Sequence, residues 1–223
     1  VLCFFLFLFL FVGALIGGRI GYALFYRPDI FLANPLGFFS PYHVSTGWSG
    51  IAGMSFHGGL LGVVLALSLF AARRKVRFFP VADLVSFVAP IALFFGRIGN
   101  FLAGELYGRA TTFSFGMYVP ETVGMGVLRH PSALYEAFLE GLFLFVVLFF
   151  LKQRKKISGE IALWFLMGYG VIRFFVEYTR EPDPGIAFLF GLTRGQFLSS
   201  ILFIFGCIVW LWLWTKNRGK MKE

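Results

Sequence analysis

Long apolar runs, each closed by a short polar cluster, make up most of this chain. Six of them reach or approach the roughly 20 residues that a helix needs to cross a bilayer core. They lie at about 1–18, 57–72, 79–96, 133–151, 160–178 and 196–214. Apolar and polar residues rarely alternate within these runs, so transmembrane strands are not predicted. The pattern predicts an all-α membrane protein, a polytopic bundle of about six spans forming one domain over 1–223. Between the runs, the segments 19–56, 97–132 and 179–195 are rich in Gly, Pro, aromatic and polar residues. These are expected to form arms and a small cap at one face of the bilayer. No internal repeat or low-complexity linker divides the chain.

Composition agrees with that class. Hydrophobic residues make up 58%, mean hydropathy is +0.80, and there are 32 Phe. That is more apolar surface than a soluble domain of ordinary composition carries. The opening run Val1 to Leu15 has neither the basic flank nor the small-residue cleavage site of a signal peptide, so it is predicted to span. Cys3 and Cys207 stand alone in apolar runs, which supports neither a disulfide framework nor a zinc site, and no metal is expected.

Charge then sets a predicted orientation. Twelve of the 20 Lys and Arg fall in three clusters: Arg73 to Arg77, Lys152 to Lys156, and the tail from Lys216 to Lys222. All three lie on one side of a six-span topology, which the positive-inside rule makes cytoplasmic. The net charge of +9 is therefore predicted to report topology and contact with anionic lipid. No nucleic-acid motif accompanies it. The other eight basic residues, Arg19, Arg27, Arg97, Arg109, Arg129, Arg173, Arg180 and Arg194, are all arginines on the opposite, outer side. A planar forked donor suits phosphate better than an ammonium does.

Chemistry concentrates in four segments. In Gly96 to Arg109, Arg97 and Asn100 are three apart and share a helix face, with Glu105 close behind. Arg, Asn and Glu at a membrane boundary need partners or a ligand; the plainer alternative is a snorkelling Arg97 with a local Arg–Glu pair. Tyr169, Arg173, Glu177 and Arg180 form one stripe of a helix, in which Arg173 must face the bundle interior and pair with Glu177. His57, at the outer start of the second span, has a side chain that titrates near neutral pH; it also suits a plain structural role, and Gly58 with Gly62 makes a small-residue packing face. Ser55 is two residues from His57 and points to another helix face, which argues against a serine hydrolase. Arg129 to Glu136 opens the fourth span, where His130 is read as a helix cap and Glu136 as suiting the positive helix end. Arg19, Tyr22 and Tyr26 are read as interfacial anchors beyond the first span.

The ordered strings SFHGGLLG, GRIGNFLAGELYGR, HPSALYE and GYGVIRFFVEYTREPD closely resemble the bacterial phosphatidylglycerol–prolipoprotein diacylglyceryl transferases, with similarity from about Gly17 onward. The resemblance implies a multi-pass enzyme of the bacterial plasma (inner) membrane. Such an enzyme moves the diacylglyceryl group of phosphatidylglycerol to the thiol of a prolipoprotein lipobox cysteine and releases glycerol phosphate. It attaches importance to the positions of His57, Arg97, Asn100, Gly108 and Arg173. Arg97 and Arg173 suit the phosphate, with Asn100, Gly108, Glu177 and Arg180 also in the lipid site. His57 is the favoured base, ahead of Tyr169 and Glu105. Glu105 and Glu177 are expected to orient the others. No cofactor is needed, because the lipid carries the activated group, and a monomer facing the outer leaflet is expected.

Two departures from the family pattern shape the expectations. Members usually have seven spans, the first bearing a tyrosine considered essential, so an active form is expected to have residues upstream of Val1. Ala133 stands where Gln is common. The rival classes are an anion- or lipid-binding transporter, which would show paired broken helices in an inverted repeat, and an inactive truncated scaffold. An intramembrane serine protease ranks last.

Overall fold

The computed structural model describes residues 2–25, 28–35, 40, 42–43, 47–48, 53–118, 126–181 and 191–217. The chain divides into two compact units, 1–81 and 82–223.

In the first unit, α1 (Leu2–Phe25) packs along α3 (Phe56–Arg74). A short helix α2 (Pro28–Ala33) and a hairpin of β1 (Tyr42–His43) and β2 (Gly47–Trp48) lie between them in sequence. The predicted small-residue face is present and has its partner in α1. A Cβ on Gly17 or Gly21 would come within 2.7 Å of the α3 backbone at Gly62 or Gly58. Backbones that close need glycine on both sides, and van der Waals contact then holds the pair without polar groups. Helix α1 runs seven residues past the predicted end of the first span, so Arg19 lies within the helix. It is buried there and donates from Nη1 to the Gly53 carbonyl at 3.1 Å. Tyr26 lies outside the described residues.

The second unit takes in most of α4 (Phe78–Leu102), then a hairpin of β3 (Met117–Tyr118) and β4 (Leu128–Arg129). The composite helix α5 (Ser132–Arg154) follows, then α6 (Glu160–Val176) and α7 (Arg194–Asn217). Inside α5 an α-helical start gives way to a π-helical stretch, Ala137–Phe143, before the helix resumes. Leu144, Leu148, Ile161 and Tyr169 form the core between α5 and α6.

Among the described residues, five helices are long and apolar enough to cross a membrane, namely α1, α3, α4, α5 and α7. The sixth predicted span forms α6, which has 17 residues. The polytopic all-α class follows the sequence pattern, with five such helices where about six spans are predicted. The segments between the predicted spans hold, among the described residues, α2 and the two short hairpins.

Candidate active site

Three helices of the second unit bring the charged residues together. Arg97 extends from near the C-terminal end of α4, Glu136 and Glu140 from the first turns of α5, and Arg173 from the last turn of α6. Glu136 is fully buried and meets three guanidinium groups. Arg97 Nε is 2.8 Å from its Oε2, while Arg173 Nη1 at 3.0 Å and Arg180 Nη1 at 2.8 Å share its Oε1. Glu140, also fully buried, is 3.5 Å from both Arg97 Nη2 and Arg173 Nη1. Glu177 receives Arg173 Nη2 at 2.9 Å and, through its other oxygen, the Thr193 hydroxyl at 3.1 Å. The predicted Arg173–Glu177 pair is therefore one edge of a larger cluster.

Exposure within the cluster is uneven. Arg97, Arg173 and Arg180 keep 17%, 14% and 15% of their side-chain surface, whereas Glu136 and Glu140 keep none. A ligand arriving at the cluster meets guanidinium edges, with the carboxylates sealed behind them. The carboxylates fix the orientation of the forks, and low dielectric strengthens any charge-assisted bond made in front of them.

Asn100 lies one turn beyond Arg97 and donates from Nδ2 to Glu105 Oε2 at 3.1 Å. Glu105 thus pairs with Asn100 while Arg97 pairs with Glu136, and the local Arg–Glu pair considered from sequence does not form. Tyr169 is buried one turn before Arg173, its ring 6.0 Å from that of Phe165. The stripe of four is also not all helical: α6 ends at Val176, and a turn over 177–179 carries the chain to Arg180.

Gly108 explains how Arg180 is held beyond the helix. It forms a β-bridge with Arg180, donates its N–H to the His130 carbonyl at 2.9 Å, and accepts Arg129 Nη1 at 2.9 Å. A Cβ there would collide with the Thr179 and His130 carbonyl oxygens. Three strands of backbone cross at this glycine. His130 is not a helix cap, since the cap position is Pro131 with no side-chain bond; its Nδ1 faces Tyr135 Oη at 3.4 Å instead.

His57 belongs to the first unit, in the opening turn of α3, its ring edge-on to Phe56 with centroids 5.4 Å apart. Ser55 caps that helix by accepting the Gly58 N–H at 3.3 Å. That bond gives its hydroxyl a structural task, in keeping with the low rank of a serine protease.

Glu140 escaped the sequence reading altogether, and Glu136 was read only as a helix-end charge. The signal was available: two carboxylates four residues apart inside an apolar run are costly unless paired.

A family model described as prolipoprotein diacylglyceryl transferase matches residues 3–212. The chain belongs to that family. Among its relatives, the phosphatidylglycerol–prolipoprotein diacylglyceryl transferase of Chlorobaculum tepidum is 46% identical over 212 residues, covering 93% of this chain and 72% of the relative. The protein of the same name from Idiomarina loihiensis is 48% identical over 200 residues, with 89% and 71% covered. That of Wolinella succinogenes is 45% identical over 213 residues, with 94% and 76% covered. Membership of this transferase family makes the chain an enzyme, and the arginine cluster its candidate catalytic centre.

Proposed function

We propose that this chain transfers the diacylglyceryl group of phosphatidylglycerol to the cysteine thiol of a prolipoprotein lipobox. A carbon–sulfur bond forms as the bond between the glycerol carbon and the phosphate oxygen breaks. The electron pair of that bond leaves on the phosphate, and the product is glycerol phosphate. The observation behind this reading is the arrangement of Arg97, Arg173 and Arg180, with guanidinium edges outward and Glu136 and Glu140 sealed behind. Preorganised forks of this kind stabilise charge as it builds on a leaving phosphate. Asn100 and Gly108 support the same lipid site, the first beside Arg97 and the second through Arg180.

The thiol must lose a proton to become a nucleophile. His57 is the preferred acceptor, because an imidazole nitrogen can take the thiol proton as a general base; Glu105 and Tyr169 are the alternatives. Glu177 orients Arg173 and Arg180. The chain acts as one transferase domain and as a monomer in the bacterial inner membrane. The clusters Arg73–Arg77 and Lys152–Lys156 face the cytoplasm with the C-terminus, and the arginine cluster faces the outer leaflet.

Mass spectrometry of a lipobox peptide incubated with phosphatidylglycerol and the protein in nanodiscs tests this directly. A gain of one diacylglyceryl group, abolished when the peptide cysteine is changed to serine, is expected. Lipid binding without any mass gain, also in a form extended upstream of Val1, would replace the enzyme with an anion-binding or inactive scaffold.

A further inference from the structure

One helical turn, about 5.4 Å, before Glu136 on α5, a separate cavity of about 140 Å³ opens within the second unit. Its walls include Phe101, Leu106 and Pro131, and its polar groups include Glu105, Tyr107 and His130. Each of these three retains hydrogen-bonding capacity. Glu105 uses Oε2 to accept Asn100, leaving Oε1. His130 faces Tyr135 through Nδ1, leaving Nε2. The Tyr107 hydroxyl has no hydrogen-bond partner among the described residues.

The charge of the cavity sets the class of its ligand. Its one guanidinium, Arg129, is engaged through Nη1 by the Gly108 carbonyl and by Glu181, both at 2.9 Å. The Glu105 carboxylate remains. An anion is disfavoured there, while a neutral group rich in hydroxyls finds an acceptor, a donor–acceptor hydroxyl and an imidazole nitrogen. We propose that this cavity holds the free glycerol end of the phosphoglycerol headgroup, by hydrogen bonds to Glu105, Tyr107 and His130. This rests on the transferase reading and extends it. The arginines take the phosphate, and the polyol reaches one turn further along α5. The site would select phosphatidylglycerol over phospholipids that lack a second glycerol, because only that glycerol brings hydroxyls to Glu105, Tyr107 and His130.

The test compares glycerol 1-phosphate with inorganic phosphate by calorimetry on the solubilised protein, and KM with kcat for phosphatidylglycerol. The first arm reads the released product and the second the lipid headgroup. The unmodified chain should bind glycerol phosphate about tenfold more tightly than phosphate, the worth of one or two net hydrogen bonds. In Tyr107→Phe with His130→Gln that preference should fall to near unity while phosphate binding is unchanged. KM should rise by a similar factor with kcat within about twofold. Tyr107→Phe alone removes one hydroxyl and gives half the effect if the double variant does not fold. A preference that persists in the variants, is absent from the unmodified chain, or falls because both ligands weaken together would overturn the proposal. Preferential binding that depends on these side chains, in a chain that transfers nothing, would keep the cavity assignment and defeat the transferase reading.

Discussion

Helices α4 and α6 carry a buried polar node at each end, about 20 Å apart along α4, and the two nodes are built on opposite principles. At the Asp83 end every bond closes on structure. Asp83 accepts the Gly159 N–H at 2.7 Å and the Ala162 N–H at 3.0 Å, capping α6 from another helix, and pairs with Lys155 Nζ at 2.7 Å. At the Arg97 end the charges meet, but hydrogen bonding is incomplete. Arg97 Nε, Arg173 Nη1, Glu136 Oε2 and Glu140 Oε1 are all buried without a well-formed hydrogen bond. Buried polar groups are normally satisfied, so a cluster of exceptions calls for a reason. Their ion-pair partners lie within the cluster, Arg97 Nε with Glu136 Oε2 at 2.8 Å and Arg173 Nη1 with Glu140 Oε1 at 3.5 Å; under the proposed function, the cluster's outward guanidinium edges serve the phosphate. The first node holds helices together; under the proposed function, the second holds donors ready.

This contrast is broken or sharpened by substitution. The largest loss is expected for Arg173→Ala and Arg97→Ala, at least on the order of 10³-fold in transfer, because under the proposed function each removes a donor to the leaving phosphate. Arg173→Lys should recover little of this, since an ammonium cannot replace the fork that joins Glu136, Glu140 and Glu177. Near-normal peptide modification by any of the three would remove the phosphate assignment. His57→Gln is expected to slow transfer by on the order of 10²-fold and to flatten the pH–rate profile on its acid side. An unchanged profile would move the base elsewhere.

Glu136→Gln should follow, with a loss of about tenfold or more in transfer and a lower thermal midpoint, because three arginines lose one shared carboxylate. Gly108→Ala should lower the midpoint and transfer together, as its Cβ forces apart the backbone that holds Arg180, at about 1–3 kcal/mol. The smallest catalytic effect is expected for Asp83→Asn. Thermal scanning should show the loss of the Lys155 pair, while kcat per folded molecule stays within about twofold. A large fall in kcat there would mean that the two nodes are not separate in function.

What the sequence revealed follows from how far each interaction reaches along the chain. The spans were legible because bilayer thickness writes a length of apolar residues into each run. The Arg173–Glu177 pair was legible because four residues is one helical turn. Glu136 and Glu140 were not, because their partners come from α4 and α6; Arg97 is 43 residues from Glu140 and Arg180 is 44 from Glu136. Asp83 was hidden for the same reason, its acceptors bonding N–H groups 76 and 79 residues away. The end of α1 was misplaced because Arg19 looked like a boundary, when the Gly53 carbonyl lets the helix continue past it.

Retention of phosphatidylglycerol by native mass spectrometry tests the contrast most directly, using the unmodified chain, Arg97→Ala, Arg173→Lys and Asp83→Asn released from the same nanodiscs. The unmodified chain and Asp83→Asn should carry one bound phosphatidylglycerol, and both arginine variants should arrive without it. Equal retention by all four would contradict the account, because the arginine cluster would then be a second structural node and the lipid site would lie elsewhere.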